Sequence, residues 1–322
     1  MGELRDINLL GRMNQAVTSK VTLPYRSDWL RPTEASVIDI HGNVLGHCAR
    51  SIYYRIKGEG VTNPMSLKAL KRAELGNYVE EAIRNRIRDT GLYVGSNMRY
   101  RNQEYNISGE MDCLVKHGTD YIAVEVKSFW GYNAEREIMG GWRGRGNGRY
   151  FEPGKPKDNH LLQLLVYISS FNETRAEENN GFFLTGGKLI YSSRDTQDDK
   201  EFDVEIVEGA NGVHHAKVSC LCEDGNYHRV LRDDFTIEGL YERYVFIQGK
   251  INRNEIPNRE FRRFLTNAEI TTAAESGEIS KTTYAEWQRS PNELNTEKCG
   301  GSWQCCYCDF KQICTPWAAR QN

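Results

Sequence analysis

The chain has 322 residues and a formal charge of −2, enough length for one large α/β domain or two smaller ones. So balanced a charge excludes a surface coated in basic residues, and a nucleic-acid partner would need a local basic groove. No run of eighteen apolar residues occurs, which excludes an apolar membrane-spanning helix.

The N-terminal sequence MGELRDINLLGRMNQ lacks a cationic region followed by an apolar core, so no secretory signal is expected. Met-Gly invites a test for myristoylation, but position six is Asp6 rather than Ser or Thr. Nine cysteines without a signal peptide point to metal or cluster binding in a reducing cytosol rather than to a disulfide scaffold. Residues 1–44 read as an irregular N-terminal segment punctuated by Pro24 and Pro32. The run Cys48 to Ile56 predicts a helix closed by Gly58.

Leu67 to Thr90 predicts a long helix, with Leu70, Ala73, Tyr78, Ala82 and Ile83 as its apolar stripe. Gly76 inside it suggests close packing. Glu80 follows one turn later, where the simple alternative is a solvated carboxylate paired with Arg84. Met98 to Tyr105 predicts a strand.

Next comes ISGEMDCLVKHGTDYIAVEVK, residues 107–127, which predicts two strands joined at His117-Gly118-Thr119-Asp120. By the two-residue period Ile122, Val124 and Val126 share one face, and Glu125 and Lys127 project from the other. Pairing the strands as a hairpin brings Asp112 close to Glu125. Two carboxylates beside a lysine make a hard-cation site suited to Mg²⁺ or Mn²⁺. The lysine can orient or deprotonate a water, or stabilise negative charge on phosphorus. By itself, such a pattern is commonly a solvated strand face.

Residues 128–157 are rich in Gly, Arg and aromatics, which predicts a mobile loop or insertion with little core of its own. Arg143, Arg145 and Arg149 interleave with Trp142, Tyr150 and Phe151, a mixture suited to nucleic-acid strands or, equally, to a solvated loop. Asp158 to Phe171 predicts a helix with Asp158 as N-cap, an apolar face of Leu161, Leu164, Leu165 and Ile168, and a second stripe of His160, Gln163 and Tyr167. Strands follow at Gly186 to Ser192, Glu201 to Val207 and Val213 to Cys222, then a helix at Thr236 to Lys250 and weak helical signals over 267–297. Cys220 and Cys222, one residue apart, read as structural. At the C-terminus Cys305-x2-Cys308-x5-Cys314 needs a fourth ligand for a tetrahedral site; Cys299 and Cys306 are near, Cys48 distant.

The series Cys48, Gly76-x3-Glu80, Gly109-x2-Asp112, Glu125-x-Lys127, Gln163-x3-Tyr167 and Cys305-x2-Cys308-x5-Cys314 resembles the RecB-type branch of the PD-(D/E)XK nuclease superfamily. More narrowly it is similar to the iron–sulfur members: CRISPR-associated RecB-like exonucleases, AddB-type nuclease domains and phage relatives. The resemblance spans roughly residues 45–316. It implies a restriction-endonuclease-like α/β fold, a mixed central sheet flanked by helices, followed by a cluster-binding segment. It implies a metal-dependent DNA exonuclease in recombination, repair or phage DNA processing, acting in the cytoplasm (the host's, if phage-encoded) with a recombination or helicase partner. Asp112, Glu125, Glu80 and the main-chain carbonyl of Val126 would bind the metal, with Lys127 catalytic. Gln163 and Tyr167 would support the site and touch DNA. Cys48, Cys305, Cys308 and Cys314 would hold a [4Fe–4S] cluster. The expected domains are a core at 45–297 with the 128–157 insertion, and a segment at 298–322 packing with Cys48. Two departures stand out: the family commonly has His where this chain has Glu80, and the loop between Lys127 and His160 is longer than usual.

Overall fold

The computed structural model describes residues 9–19, 28–144, 146–177, 182–209, 212–261, 267–277, 279–289 and 302–314. Helix α1 (Leu9–Ser19) and a 3-10 turn at Pro32–Glu34 precede a small hairpin, β1 (Ser36–Ile38) and β2 (Val44–Gly46). Helix α2 (Ala49–Lys57) ends where Gly58 takes a left-handed φ of 73°, its N–H returning to the Arg55 carbonyl. Helix α3 (Leu67–Asp89) is capped by the Ser66 hydroxyl, which accepts from Ala69 N–H.

Three antiparallel strands follow: β3 (Tyr93–Asn102), β4 (Ile107–His117) and β5 (Asp120–Phe129). Gly118, at φ 61°, makes the tight turn between β4 and β5. After helix α4 (Tyr132–Met139) come the paired strands β6 (Gly140–Arg143) and β7 (Tyr150–Pro153), then helix α5 (Asp158–Glu177). Strands β8 (Leu184–Ser193), β9 (Asp199–Glu208), β10 (His214–Leu221) and β11 (Tyr227–Arg232) form an antiparallel meander. Helices α6 (Ile237–Asn252), α7 (Asn267–Glu275), α8 (Lys281–Arg289) and the single turn α9 (Trp303–Cys306) complete the described residues.

The fold is mixed α/β. Its central sheet has seven strands in the order β11-β10-β9-β8-β5-β4-β3, antiparallel everywhere except between β5 and β8. The parallel junction requires a crossover, which α4, the β6–β7 hairpin and α5 supply. Val124 and Val126 of β5 join Cys113 and Val115 of β4 and Ile83 of α3 in one apolar cluster. Helix α5 is buried on nearly every side, from Leu161 and Leu162 through Leu164, Leu165 and Val166 to Phe171. Such a helix reads as apolar all round because it lies in the interior.

Several expectations need correction. The stripe of α3 is Val79, Ile83 and Ile87; Tyr78 is 66% exposed and Ala73 and Ala82 are exposed too. The insertion is not structureless, since it contains α4, whose Ile138 is fully buried, and a hairpin. Asp158 is not an N-cap: it lies inside α5, and its carboxylate accepts from Arg232 at 2.8 Å. Strand β11 was not foreseen.

The chain divides into two compact units, one of residues 1–46 and 66–248, the other of 47–65 and 249–322. These boundaries fall elsewhere than residues 44 and 298, and residues 249–297 group with the cysteine-rich end.

Candidate active site

Glu125 is the centre of the first unit's candidate site. It sits on β5 facing α5, only 1% exposed, because the strand is covered on both faces. Its Oε1 accepts from Gln163 Nε2 of α5 at 2.5 Å and from the Lys127 ammonium. Gln163 Nε2 also bonds the Tyr167 hydroxyl, 2.9 Å away. These two residues are one helical turn apart, so α5 places Tyr167 beside the Gln163 that holds the carboxylate. Oε2 of Glu125 is buried with no hydrogen-bond partner among the described residues. An unpaired carboxylate oxygen in the interior is costly.

The β4–β5 register places Cys113 opposite Val124, and one step further along each strand lie Asp112 and Glu125. Asp112 Oδ2 accepts from Val126 N–H at 3.1 Å. A strand residue's N–H and C=O share an edge, so the Val126 carbonyl lies on that same edge, past the end of the β4–β5 ladder. Glu80 comes from α3 and is half-buried. Arg84 pairs with Glu81 at 2.8 Å, not with Glu80, so the simple solvated pair is not formed.

The fields are consistent with this crowding. Burial, then the Asp112 and Glu80 charges, raise Glu125 to about 8 against the opposing pull of Lys127. Burial and Asp112 likewise raise Glu80. Burial alone would lower Lys127, but Glu125, Asp112 and Glu80 together hold its ammonium above the usual lysine range.

Beside it lies a second polar chain. The Tyr191 hydroxyl accepts from Lys157 N–H at 3.1 Å and meets His160 Nδ1 at 2.9 Å. Burial, followed by the Lys127 and Lys157 charges, pushes His160 down to about 3, so the ring is neutral. Tyr191 was missed from sequence because only the parallel register sets it beside Lys127.

Among the described residues, no three His, Cys, Asp or Glu side chains are placed close enough to hold one metal ion. The donor set still suits a hard divalent cation: an orphaned buried carboxylate oxygen, two neighbouring carboxylates and a strand carbonyl clear of the ladder. The arginines of the insertion fare differently. Arg143 is bonded to Glu152 at 2.6 Å and its side chain is 12% exposed. Arg149 is exposed and lies over the Trp142 ring at 4.5 Å. Arg145 lies outside the described residues.

In the second unit, none of the described cysteines is in a disulfide. Cys48 precedes α2, and its carbonyl accepts from Ser51 N–H and Ile52 N–H. Burial, aided by Glu260 and Cys308, pushes its thiol up to about 11. Burial and Cys314 also raise Cys308. Cys314 Sγ lies 4.0 Å from Arg50 Nη1, and Cys305 Sγ 3.8 Å from the Phe261 carbonyl. Asn63 Nδ2 bonds the carbonyls of Cys306 and Cys308. Cys299 lies outside the described residues.

No protein-family model matches the chain. No curated protein matches it either. Among solved structures the chain is similar to that of SSO0001, at 13% identity and a TM-score of 0.37, over 95% of this chain and 93% of the other.

Proposed function

We propose that the first unit is a metal-dependent deoxyribonuclease of restriction-endonuclease-like fold, acting on DNA ends. The observation that carries the reading is Glu125: a carboxylate buried to 1% exposure, clamped through one oxygen and unpaired through the other. Glu80, Asp112, Glu125 and the Val126 carbonyl would hold Mg²⁺ or Mn²⁺, which when bound supplies Lewis-acid activation of water and of a phosphodiester oxygen. Gln163, held by Tyr167, keeps Glu125 in one rotamer. Lys127 donates to a non-bridging phosphate oxygen and stabilises the charge that develops as water adds to phosphorus and the sugar oxygen leaves. Neutral His160 adds no competing charge beside Lys127.

In the second unit, Cys48, Cys305, Cys308 and Cys314 would hold a [4Fe–4S] cluster. Buried thiols with raised proton affinity ionise readily only beside compensating positive charge, and cluster iron supplies it.

The nuclease reading is tested with end-labelled linear and covalently closed circular DNA, single- and double-stranded, in Mg²⁺ or Mn²⁺. Degradation of the linear forms is expected. Glu125→Ala and Lys127→Ala should each slow it roughly 100- to 1,000-fold, the usual cost of one transition-state contact. Wild-type rates in both variants would displace the active site from β5.

A further inference from the structure

We propose that Arg72, Trp130 and Arg194 form a clamp for one unpaired nucleotide of a nucleic-acid strand, the indole stacking its base and the guanidiniums holding its phosphate. The proposal rests on the nuclease reading for what lies at the strand's far end, but the binding it claims is measured separately.

Trp130 follows Lys127 by three residues on the same extended run. The two-residue alternation turns Lys127 toward α5 and turns Ser128 and Trp130 toward α3. Although large and apolar, Trp130 is 46% exposed. Two guanidiniums lie over its ring, that of Arg194 at 4.2 Å and that of Arg72 at 4.9 Å. Arg194 is fixed in place: its N–H donates to the Phe129 carbonyl at 2.9 Å, and its Nη1 donates to the Arg72 carbonyl at 2.9 Å. Its Nε is buried with no hydrogen-bond partner among the described residues.

Two like charges here crowd one indole. Neither makes an ion pair among the described residues, and burial and the Arg72 charge both hold Arg194 below the usual arginine range. Asp195 opposes this only partly, and its Oδ2 already accepts from Gly131 N–H at 2.6 Å. Such a group is completed by an anion. A carboxylate would satisfy the guanidiniums but make no use of the solvent-facing part of the indole. A nucleotide meets both, since phosphate pairs with guanidinium and a base stacks on the ring.

The position fits a strand leading to the carboxylates. Arg72, Gly76 and Glu80 are spaced four residues apart on one face of α3, and by the helical rise they span about 12 Å. Gly76 is the midpoint and carries no side chain. A Cβ there would lie 3.4 Å from the Ser128 hydroxyl, so this face of the helix rests on β5. The clamp and Glu80 thus lie at the two ends of one helix face, whose midpoint packs on β5.

The test is binding without divalent cation, followed by fluorescence anisotropy, of labelled oligothymidylate and of an abasic oligonucleotide of equal length. Wild-type protein should prefer oligothymidylate. Trp130→Ala should weaken oligothymidylate binding roughly 5- to 150-fold, the usual range for one stacked base, and leave abasic binding unchanged. Trp130→Phe should retain the preference. Arg72→Gln should weaken both probes and reduce the salt slope by about one. Circular dichroism checks that each variant folds, and both substituted side chains are exposed. Equal binding of the two probes by wild type, or oligothymidylate binding by Trp130→Ala at wild-type strength, overturns the clamp and leaves cleavage at Glu125 untouched. Base-dependent binding through Trp130 by a protein that cuts no DNA in Mg²⁺ or Mn²⁺ would sustain the clamp and sink the nuclease reading.

Discussion

Glu125 carries a consequence for pH. Its carboxyl keeps a proton up to about pH 8 in the folded chain, against an ordinary value of 4.5. Between those limits the folded state binds the extra proton, so stability contributed by this group is complete at the acid end and is lost as pH rises toward 8. Without divalent cation, the thermal midpoint should therefore fall from pH 5 to pH 8.5, and Glu125→Gln should flatten that slope. At the proposed metal site a cation and a proton would compete for the same oxygen, so added Mg²⁺ or Mn²⁺ should raise the midpoint more at pH 8 than at pH 5. Melts in a chelator and in each metal check both statements; a slope unchanged in Glu125→Gln would mean that other groups set it. Much of this residue was legible beforehand. The alternation Ile122, Val124, Val126 against Glu125, Lys127 requires only a strand with one apolar face, and the His117–Asp120 turn follows from local chemistry. Its depth of burial was not legible, because α5 covers it from more than thirty residues away. The same holds for Trp130: nothing local announces that residues 72, 130 and 194 meet.

Helix α5 couples the core to the site. Gln163 is adjacent to Leu164, and Leu164 is fully buried against β8. A Cβ added at Gly187 of β8 would come within 2.8–2.9 Å of the Leu164 side chain, including its branch carbon. Either α5 lifts or the strand yields. Overpacking of this kind costs about 1–3 kcal/mol, so Gly187→Ala should lower the urea midpoint, and any lift of α5 would loosen Gln163 from Glu125. Wild-type urea stability would show that the interface has slack. The helices also show where periodicity misleads. On α3 the apolar letters pick out Ile83, which does face the sheet, together with Tyr78 and Ala82, which do not; Val79 and Ile87 accompany Ile83, because only the partner strand decides which face is buried. Asp158 had the chemistry of a cap, but Arg232, a distant residue on β11, claims its carboxylate.

At the scale of the whole chain, the second unit joins residues 47–65 to 249–322, so the proposed cluster would tie distant segments of sequence together. A cross-link of that reach constrains the unfolded chain strongly. Anaerobically purified protein should contain about four irons; Cys48→Ser should be colourless and poorly soluble, and Cys306→Ser still brown. Zinc without iron in the wild type would refute the cluster and leave the first unit's chemistry standing. The parallel junction between β5 and β8 has a kinetic meaning. Strands β3 to β5 and β8 to β11 are two meanders, each built from neighbours in sequence. They meet only where residues as distant as Val126 and Ile190 pair. Contacts of low sequence separation form early and non-local ones late. Glu125 and Lys127 arrive with the first meander, Tyr191 with the second, and Gln163 with the crossover between them. Assembly of the proposed catalytic constellation is thus expected to close refolding, and recovery of any nuclease activity should lag recovery of β-structure. The length of the insertion matters little to that closure, since doubling a loop costs only about 0.6 kcal/mol, which leaves evolution free to vary the crossover without disturbing the strand that carries the carboxylate.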